Sequence, residues 1–463
     1  MITLRFDQLA SLSGGQLRTA DLGRRTFSGV STDSRSVEIG QLFFAIKGER
    51  QDGHRFVDQA IARRAAGIMV HKDYYANRPL PTGTAVVEVE DTHAAMIRLA
   101  GEHLATLPAR RLGITGSNGK TTTKEFTYCL LTAFDPAVYR SPGNFNNLFG
   151  IPLALFSMPN ETRWAVLEMG ISVPGEMTRL AALVKPHLLA VTNVGPTHLE
   201  FLGTVEAVAR EKLGAMKYAV PDATLIINAD DPVLIREAAR VGARPTTFGL
   251  HAGADFRPDA IESTATGMDV TIEGHRFRLP LFGQYQVYNL LAAYAIARAV
   301  GCDFGQVDTL SIPLSTASMR GEIIEAGGMT IVADCYNANP ESVKAGLDSF
   351  ARFPDDRRKV VILGDMLELG ETSAAFHREI GVKLSSYSFP LVMVVGPMSR
   401  HTADSALAAG VKATQLHHFA DAARCAAAAE ELLRTGDLVY LKGSRGIGLE
   451  AVLKKFCAEG KNS

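Results

Sequence analysis

Gly113-Ile114-Thr115-Gly116-Ser117-Asn118-Gly119-Lys120-Thr121-Thr122-Thr123 lies between a basic pair, Arg110-Arg111, and a helical pattern of Phe126, Leu130 and Ala133. Glycines at a strand-to-helix turn let backbone N–H groups approach a phosphate, and the helix N-terminus adds partial positive charge. In such a turn Lys120 reaches the outer phosphates and the Thr121 hydroxyl holds Mg²⁺. The strict spacing puts a glycine where this chain has Ile114, so the loop is a variant. It still reads as a nucleotide phosphate site at the head of a parallel β/α unit.

Outward from the turn, two apolar runs end in polar groups, as buried parallel strands do: 163–167 leads into Glu168, and 188–192 into Asn193. Ligands of open parallel sheets collect at the carboxyl ends of strands, which brings Glu168 and Asn193 to the nucleotide. His198 follows, and Lys212 falls within a helix expected over 205–217. Residues 254–281 alternate as antiparallel β-structure, and 283–299 return to helix with Leu290, Ala293, Tyr294 and Ala297 on one face. These features delimit a central unit at 91–313.

Residues 1–90 read as a small α/β unit, with strands at 41–46 and 67–70 around a helix at 57–66. Residues 314–463 alternate strands, at 329–333, 359–363, 391–395 and 437–441, with helices. Asn339 caps one helix, with Pro340 at its first position and Val343, Leu347, Phe350 and Ala351 on its buried face. The predicted fold class is therefore α/β in three domains, with a central P-loop-type β/α ATPase domain and a C-terminal doubly wound, Rossmann-like domain. The absence of Gly-x-Gly-x-x-Gly argues against a bound dinucleotide.

Composition agrees. At 463 residues, 46% hydrophobic and 21% charged, the chain can build about three sizeable cores. A net charge of −1 gives no overall field to recruit nucleic acid or an anionic membrane. Five cysteines without a Cys-x-x-Cys pair suggest neither zinc nor disulfides. No basic-then-apolar leader begins the chain, and no apolar run reaches the ~18 residues of a membrane span. A soluble, cytoplasmic, monomeric protein is expected.

Two polar clusters stand apart, Ser31-Thr32-Asp33-Ser34-Arg35 and Gln51-Asp52-Gly53-His54. Their composition suits turns, and equally suits recognition of a phosphate-bearing polar ligand. Near the phosphate loop, Thr121 and Glu168 offer oxygen to Mg²⁺, which keeps several waters and binds few protein groups. His198 is either a hydrogen-bonded loop histidine or a neighbour of a second cation. Lys212 is either a solvated helix lysine or a buried amine whose pKa a nearby Mg²⁺ lowers. In the second case the neutral amine can take up CO₂ and become an anionic carbamate.

The order of these motifs, over nearly the whole chain, resembles the Mur ligase family. The matching segments are 31–35 with 52–54, 115–121, Asn144-Phe145-Asn146-Asn147 with Gly150-Ile151-Pro152, 167–170, and 192–195 with 198–200. They continue through Asp334-Cys335-Tyr336-Asn337-Ala338-Asn339-Pro340, 363–370 and Lys442-Gly443-Ser444-Arg445. The 337–340 and 364–370 segments resemble the dipeptide-adding branch, and the Asp-Asn-Pro-Arg signature of the diaminopimelate- or lysine-adding branch is missing. Where the family often has Gly-x-His-Asn-x-x-Asn, this chain has Tyr285 and Gln286 between Gly283 and Asn289.

The resemblance implies a bacterial ATP-dependent ligase that adds D-Ala-D-Ala to UDP-N-acetylmuramoyl-tripeptide in cell-wall precursor synthesis. It implies that Ser31, Thr32, Asp33, Arg35, Asp52, Gly53 and His54 of the first domain bind the UDP-sugar peptide. Thr115, Gly116, Ser117, Asn118, Gly119, Lys120, Thr121 and Thr122 would hold ATP, with Asn146 beside the terminal phosphate. Asn289, Arg320, Asp334 and Asn337 would complete that site, the last three when a mobile, dipeptide-binding C-terminal domain closes on a hinge near Pro313. Thr121, Glu168, His198 and carbamylated Lys212 would serve Mg²⁺, and Lys120, Glu168, His198, Lys212 and Arg320 would be the catalytic set. The alternatives are another amino-acid-adding Mur ligase, a folylpolyglutamate synthetase, or an ATP-binding scaffold without chemistry.

Overall fold

The computed structural model describes residues 1–48, 51–264, 266–305, 309–312 and 319–459. A six-stranded, wholly parallel sheet occupies its centre, in the order Thr246–Phe248, Thr224–Asn228, Leu188–Val191, Arg110–Thr115, Trp164–Glu168, Val138–Arg140. The strand carrying the phosphate turn is thus flanked on both sides. Its residues Leu112 and Ile114 and the neighbours Val166, Leu188 and Ala190 are buried against the helices Lys120–Thr132 and Tyr285–Ala299. Burial on both faces explains why these strands are continuous apolar runs rather than alternating ones.

Beyond this sheet, Ala260–Thr264, Gly267–Ile272 and His275–Leu279 form an antiparallel meander, with Thr309–Ser311 added parallel to the last. The first 90 residues build a five-stranded sheet in the order Gln16–Leu17, Ala85–Val89, Gly67–His71, Leu42–Phe44, Val30–Ser31. The helix Thr92–Ala105 packs on both Phe6–Ser13 and Gly150–Ser157, so one apolar core runs from Phe6 and Leu9 through Met96 and Leu99 to Ile151 and Leu155.

The C-terminal sheet runs Glu322–Ala326, Met329–Asp334, Leu438–Lys442, Lys359–Gly364, Leu391–Val395, Leu416–Phe419, with the first strand antiparallel and the rest parallel. Helices cover both faces: Val343, Leu347, Ile380 and Ala403 belong to one core, and Cys425, Ala429 and Val452 to the other. That is a doubly wound arrangement. No helix among the described residues is long and apolar enough to cross a membrane.

Several element limits differ from the sequence reading. The helix expected over 57–66 stops at Val57–Ala62, because Arg64 takes a left-handed conformation (φ 64°) and the Ala65 N–H returns to Ala60 O at 3.1 Å. The helix expected over 205–217 is α-helical over Val205–Leu213 and tightens to a 3-10 turn over Gly214–Tyr218. In the C-terminal sheet Glu322–Ala326 and Leu416–Phe419 were missed; both are edges, where one-sided exposure leaves no apolar run to read. Elsewhere the buried strands Ala85–Val89 and Thr224–Asn228 and several short ones, among them Val138–Arg140 and Thr246–Phe248, were also not read from the sequence. The expected hinge at Pro313 lies outside the described residues.

Candidate active site at the phosphate loop

Gly116 and Gly119 set the loop's shape. Gly116 has φ 147° and a Cβ there would collide with Thr192 Oγ1; Gly119 has φ 80° and a Cβ there would collide with Asn289 Oδ1. The segment after Leu188–Val191 braces the turn. Thr192 Oγ1 donates to Asn118 O (2.5 Å), Asn193 Oδ1 accepts the Asn118 N–H (2.9 Å), and Ser117 Oγ accepts the Gly195 N–H (3.0 Å). Asn193 therefore orders the loop's backbone, and Asn289 underlies Gly119 while donating to Gln286 Oε1 at 2.9 Å.

Two ammonium groups converge on one carbonyl. Lys120 Nζ donates to Gly116 O at 2.8 Å and Ser117 O at 3.2 Å, and Lys212 Nζ reaches Gly116 O at 3.2 Å. Lys212 is only 2% exposed, which excludes the solvated helix lysine. Burial pushes its pKa well below the ordinary lysine value, and the neighbouring Lys120 charge pushes it further. Burial also lowers Lys120, against the pull of Glu168 and with the push of Arg320.

Glu168 closes the strand Trp164–Glu168 and is 2% exposed. Its Oε1 accepts from Asn146 Nδ2 at 2.7 Å, while its Oε2 is buried without a hydrogen-bond partner. A buried carboxylate oxygen that accepts no hydrogen bond, with the Lys124 ammonium no nearer than 4.0 Å, fits a hard cation. Among the described residues, no group of three or more His, Cys, Asp or Glu is placed to hold a metal. The hard oxygen that Glu168 offers suits Mg²⁺, which binds few protein groups and keeps water and phosphate as its other ligands. His198 has φ 53°, its Nδ1 lies 3.4 Å from Glu368 Oε2, and burial lowers its pKa against the pull of Glu368, with Lys120 and Lys212 adding to the lowering.

The C-terminal sheet brings its own residues to this place. Arg320 stacks on Tyr336, 3.8 Å from the ring centroid, close enough to Lys120 to act on its charge. Asp334, 7% exposed, accepts from Tyr285 OH (3.0 Å) and Tyr440 OH (3.1 Å) and pairs with Lys442 (3.1 Å). Asn337 is exposed, with its backbone carbonyl accepting from Lys442 Nζ at 3.0 Å. Tyr285 and Gln286 now have partners: the Tyr285 hydroxyl meets Asp334, and Gln286 Nε2 donates to Arg320 O at 2.6 Å. Lys124 is a further site neighbour that sequence reasoning missed; its position one helical turn after Lys120, a charge amid Phe126 and Leu130, was the available signal.

The first-domain clusters sit elsewhere. Ser31 ends the strand Val30–Ser31, which pairs in parallel with Leu42–Phe44, and Asp52 caps the 3-10 turn Gly53–Phe56. Ser31 Oγ accepts the Asp33 N–H at 3.1 Å, and Arg35 forks onto Asp33 (2.7 Å), holding that carboxyl down at about 2. Asp52 pairs with His54 Nδ1 at 2.7 Å, while His54 Nε2 accepts the His71 N–H at 2.9 Å. Thr32 lies in the bend before the turn at 34–36, and the Gly53 N–H donates to Ile46 O at 2.8 Å. Among the described residues no hydrogen bond or ion pair joins these clusters to the phosphate loop.

Three domain models cover this arrangement in chain order: "Mur ligase family, catalytic domain" at 26–104, "Mur ligase middle domain" at 114–297, and "Mur ligase, glutamate ligase domain" at 319–445. The chain belongs to the Mur ligase family. Within it, the chain is 34% identical to the UDP-N-acetylmuramoyl-tripeptide–D-alanyl-D-alanine ligase of Bacillus subtilis, over 98% of both chains. The crystal structure of MurF from Acinetobacter baumannii is similar to it with a TM-score of 0.86, at 26% identity over 99% of each chain. The MurF ligase of Thermotoga maritima, solved in complex with ADP, is similar with a TM-score of 0.78 and 29% identity, covering 94% of this chain and 99% of that one.

Proposed function

We infer that this protein is an ATP-dependent amide ligase that joins D-Ala-D-Ala to UDP-N-acetylmuramoyl-tripeptide in peptidoglycan precursor synthesis. The observation that carries the reading is the buried Oε2 of Glu168, which accepts no hydrogen bond, at the edge of a loop where Lys120 and Lys212 also converge. Full-length similarity to D-alanyl-D-alanine ligases supports the substrate pair.

In this reading ATP lies on Thr115–Thr122 with its terminal phosphate beside Asn146, and Asn289, Arg320, Asp334 and Asn337 border the nucleotide. Thr121 and Glu168 would hold Mg²⁺, His198 would lie near a second ion, and Lys212 as its carbamate would be a further metal ligand. Bound there, the ions would supply charge neutralisation and Lewis acidity to the phosphates. The tripeptide's terminal carboxylate attacks the γ-phosphorus in line, ADP leaves, and an acyl phosphate results. Lys120 takes part of the charge that develops on the transferring group. The amine of D-Ala-D-Ala then adds to the acyl carbon, and the tetrahedral intermediate expels phosphate. Arg320, carried by the C-terminal domain, closes the site against water while the activated acid exists.

The first domain (1–90) takes the UDP-sugar peptide, the central one (91–313) the ATP, and the last (314–463) the dipeptide, in the bacterial cytoplasm. Low exposure of Lys212 beside a second ammonium supports the carbamate, since it favours the neutral amine that CO₂ requires. The test is phosphate release from ATP with three substrate pairs: UDP-N-acetylmuramoyl-tripeptide and D-Ala-D-Ala, UDP-N-acetylmuramoyl-L-alanyl-D-glutamate and diaminopimelate, and folate and glutamate. Turnover with D-Ala-D-Ala alone is expected. Turnover with either other mixture assigns a different ligase, and none in any mixture leaves an ATP-binding scaffold.

A further inference from the structure

The helix Lys120–Thr132 carries a second lysine, one turn after Lys120, that the mechanism above does not use. Lys124 is wholly buried, a costly place for a cation unless it is paired and hydrogen-bonded. Its Nζ donates to Ser141 O and to Gly143 O, each at 2.8 Å, and lies 3.2 Å from Glu125 Oε1 and 4.0 Å from Glu168 Oε2. Glu125 has another cation, Arg140, at 2.6 Å. Neutralising Glu125 therefore does not account for Lys124.

The carbonyls that Lys124 holds begin the segment leading to Asn146. Ser141 Oγ accepts the Glu168 N–H at 3.2 Å, and Asn146 Nδ2 donates to Glu168 Oε1 at 2.7 Å. Both hydrogen bonds that the segment makes to Glu168 thus come from chain on which Lys124 holds two carbonyls, alongside the backbone bonds Ser141 N–H to Val166 O (3.0 Å) and Gly170 N–H to Asn146 O (2.7 Å).

We propose that Lys124 is a positioning residue: by clamping the Ser141 and Gly143 carbonyls it sets segment 141–146, and with it Asn146 and Glu168, against the terminal phosphate of a nucleoside triphosphate. The inference rests on the placing of Asn146 and Glu168 given under the proposed function. It requires Lys124 to matter for a triphosphate and not for a diphosphate, which ends before that segment.

Calorimetric binding of ADP and of β,γ-imido-ATP, both with Mg²⁺, tests this on the parent, Lys124→Met, Lys124→Met with Glu125→Gln, and Asn146→Ala. Methionine keeps the side chain's length without its charge, and the double variant removes a balanced pair of charges so that the core remains neutral. ADP is expected to bind all four proteins alike. The affinity ratio of the triphosphate analogue to ADP is expected to fall about tenfold in both Lys124 variants, the scale of a lost charge-assisted hydrogen bond. A lysine needed only for folding would lower melting temperature and both affinities together, leaving the ratio at its parental value, and that result overturns the proposal. So does a ratio regained in the double variant, which would make Glu125 the reason for Lys124. The Asn146→Ala arm is separate: an unchanged ratio there refutes the placing of Asn146 itself, and this inference with it.

Discussion

Asn339 Nδ2 donates to Asn118 Oδ1 at 2.6 Å, joining two side chains 221 positions apart. Asn118 belongs to the phosphate loop. Asn339 also caps the helix Pro340–Arg352, its Oδ1 accepting the Ser342 N–H at 2.9 Å. One side chain thus starts a helix of the C-terminal sheet and touches the loop of the central one. The Tyr285–Asp334 and His198–Glu368 contacts cross the same junction.

Substituting Asn339 separates those two roles. Asn339→Ala loses cap and contact, and is expected to cost about 1 kcal/mol of stability along with turnover. Asn339→Ser keeps a capping oxygen but is too short for Asn118. Near-parental melting with reduced kcat is expected of it, and full kcat in that variant would show that the cross-domain bond is idle.

Gly119→Ala places a Cβ against Asn289 Oδ1 and forces a left-handed residue to carry a side chain. A loss of about 1–2 kcal/mol from the backbone alone is expected, with ADP binding reduced beyond detection. Denaturant melts and calorimetry read the two effects. Parental ADP affinity would mean that the loop is not shaped by this glycine.

Lys120→Ala is expected to abolish turnover, since the charge it supplies in the transition state has no substitute. Lys212→Ala should lose most activity for another reason, the absence of an amine to carbamylate. Native mass spectrometry in bicarbonate buffer separates the cases. Parent and Lys120→Ala should carry one added CO₂, and Lys212→Ala none; a parent without the adduct would refute the carbamate.

His103 offers a pH test away from the site. Burial holds its imidazole down at about 4, against an ordinary value of 6.5, and its Nε2 is buried without a partner. The unfolded chain then binds the proton more readily between those values, so this group's contribution to stability is full above 6.5 and falls as pH drops toward 4. His103→Leu is expected to lose less melting temperature between pH 7 and pH 4.5 than the parent. An equal loss in both proteins would assign the acid sensitivity elsewhere.

How legible was all this in the sequence? The strand-to-helix turn at 113–123 was, because the positive φ of Gly116 and Gly119 restricts residue types there whatever surrounds them. The Asn339-Pro340 cap was legible for the same local reason. Lys212 was open to two readings, since Val208, Ala209 and Leu213 mark a buried helix face but do not say what lies opposite. Lys124 went unread because its partners, Ser141 and Gly143, are backbone carbonyls that leave no trace in residue identity. Tyr285 and Gln286 needed the packed domains, for they meet Asp334 and Arg320 across the junction. The edge strands Glu322–Ala326 and Leu416–Phe419 lacked the apolar run that revealed their neighbours.

The most direct measurement follows an oxygen atom. UDP-N-acetylmuramoyl-tripeptide carrying heavy oxygen in its terminal carboxylate is turned over with ATP and D-Ala-D-Ala, and the released phosphate is weighed. Attack of that carboxylate on the γ-phosphorus predicts heavy oxygen in the phosphate. Amide product accompanied by wholly unlabelled phosphate would contradict the account.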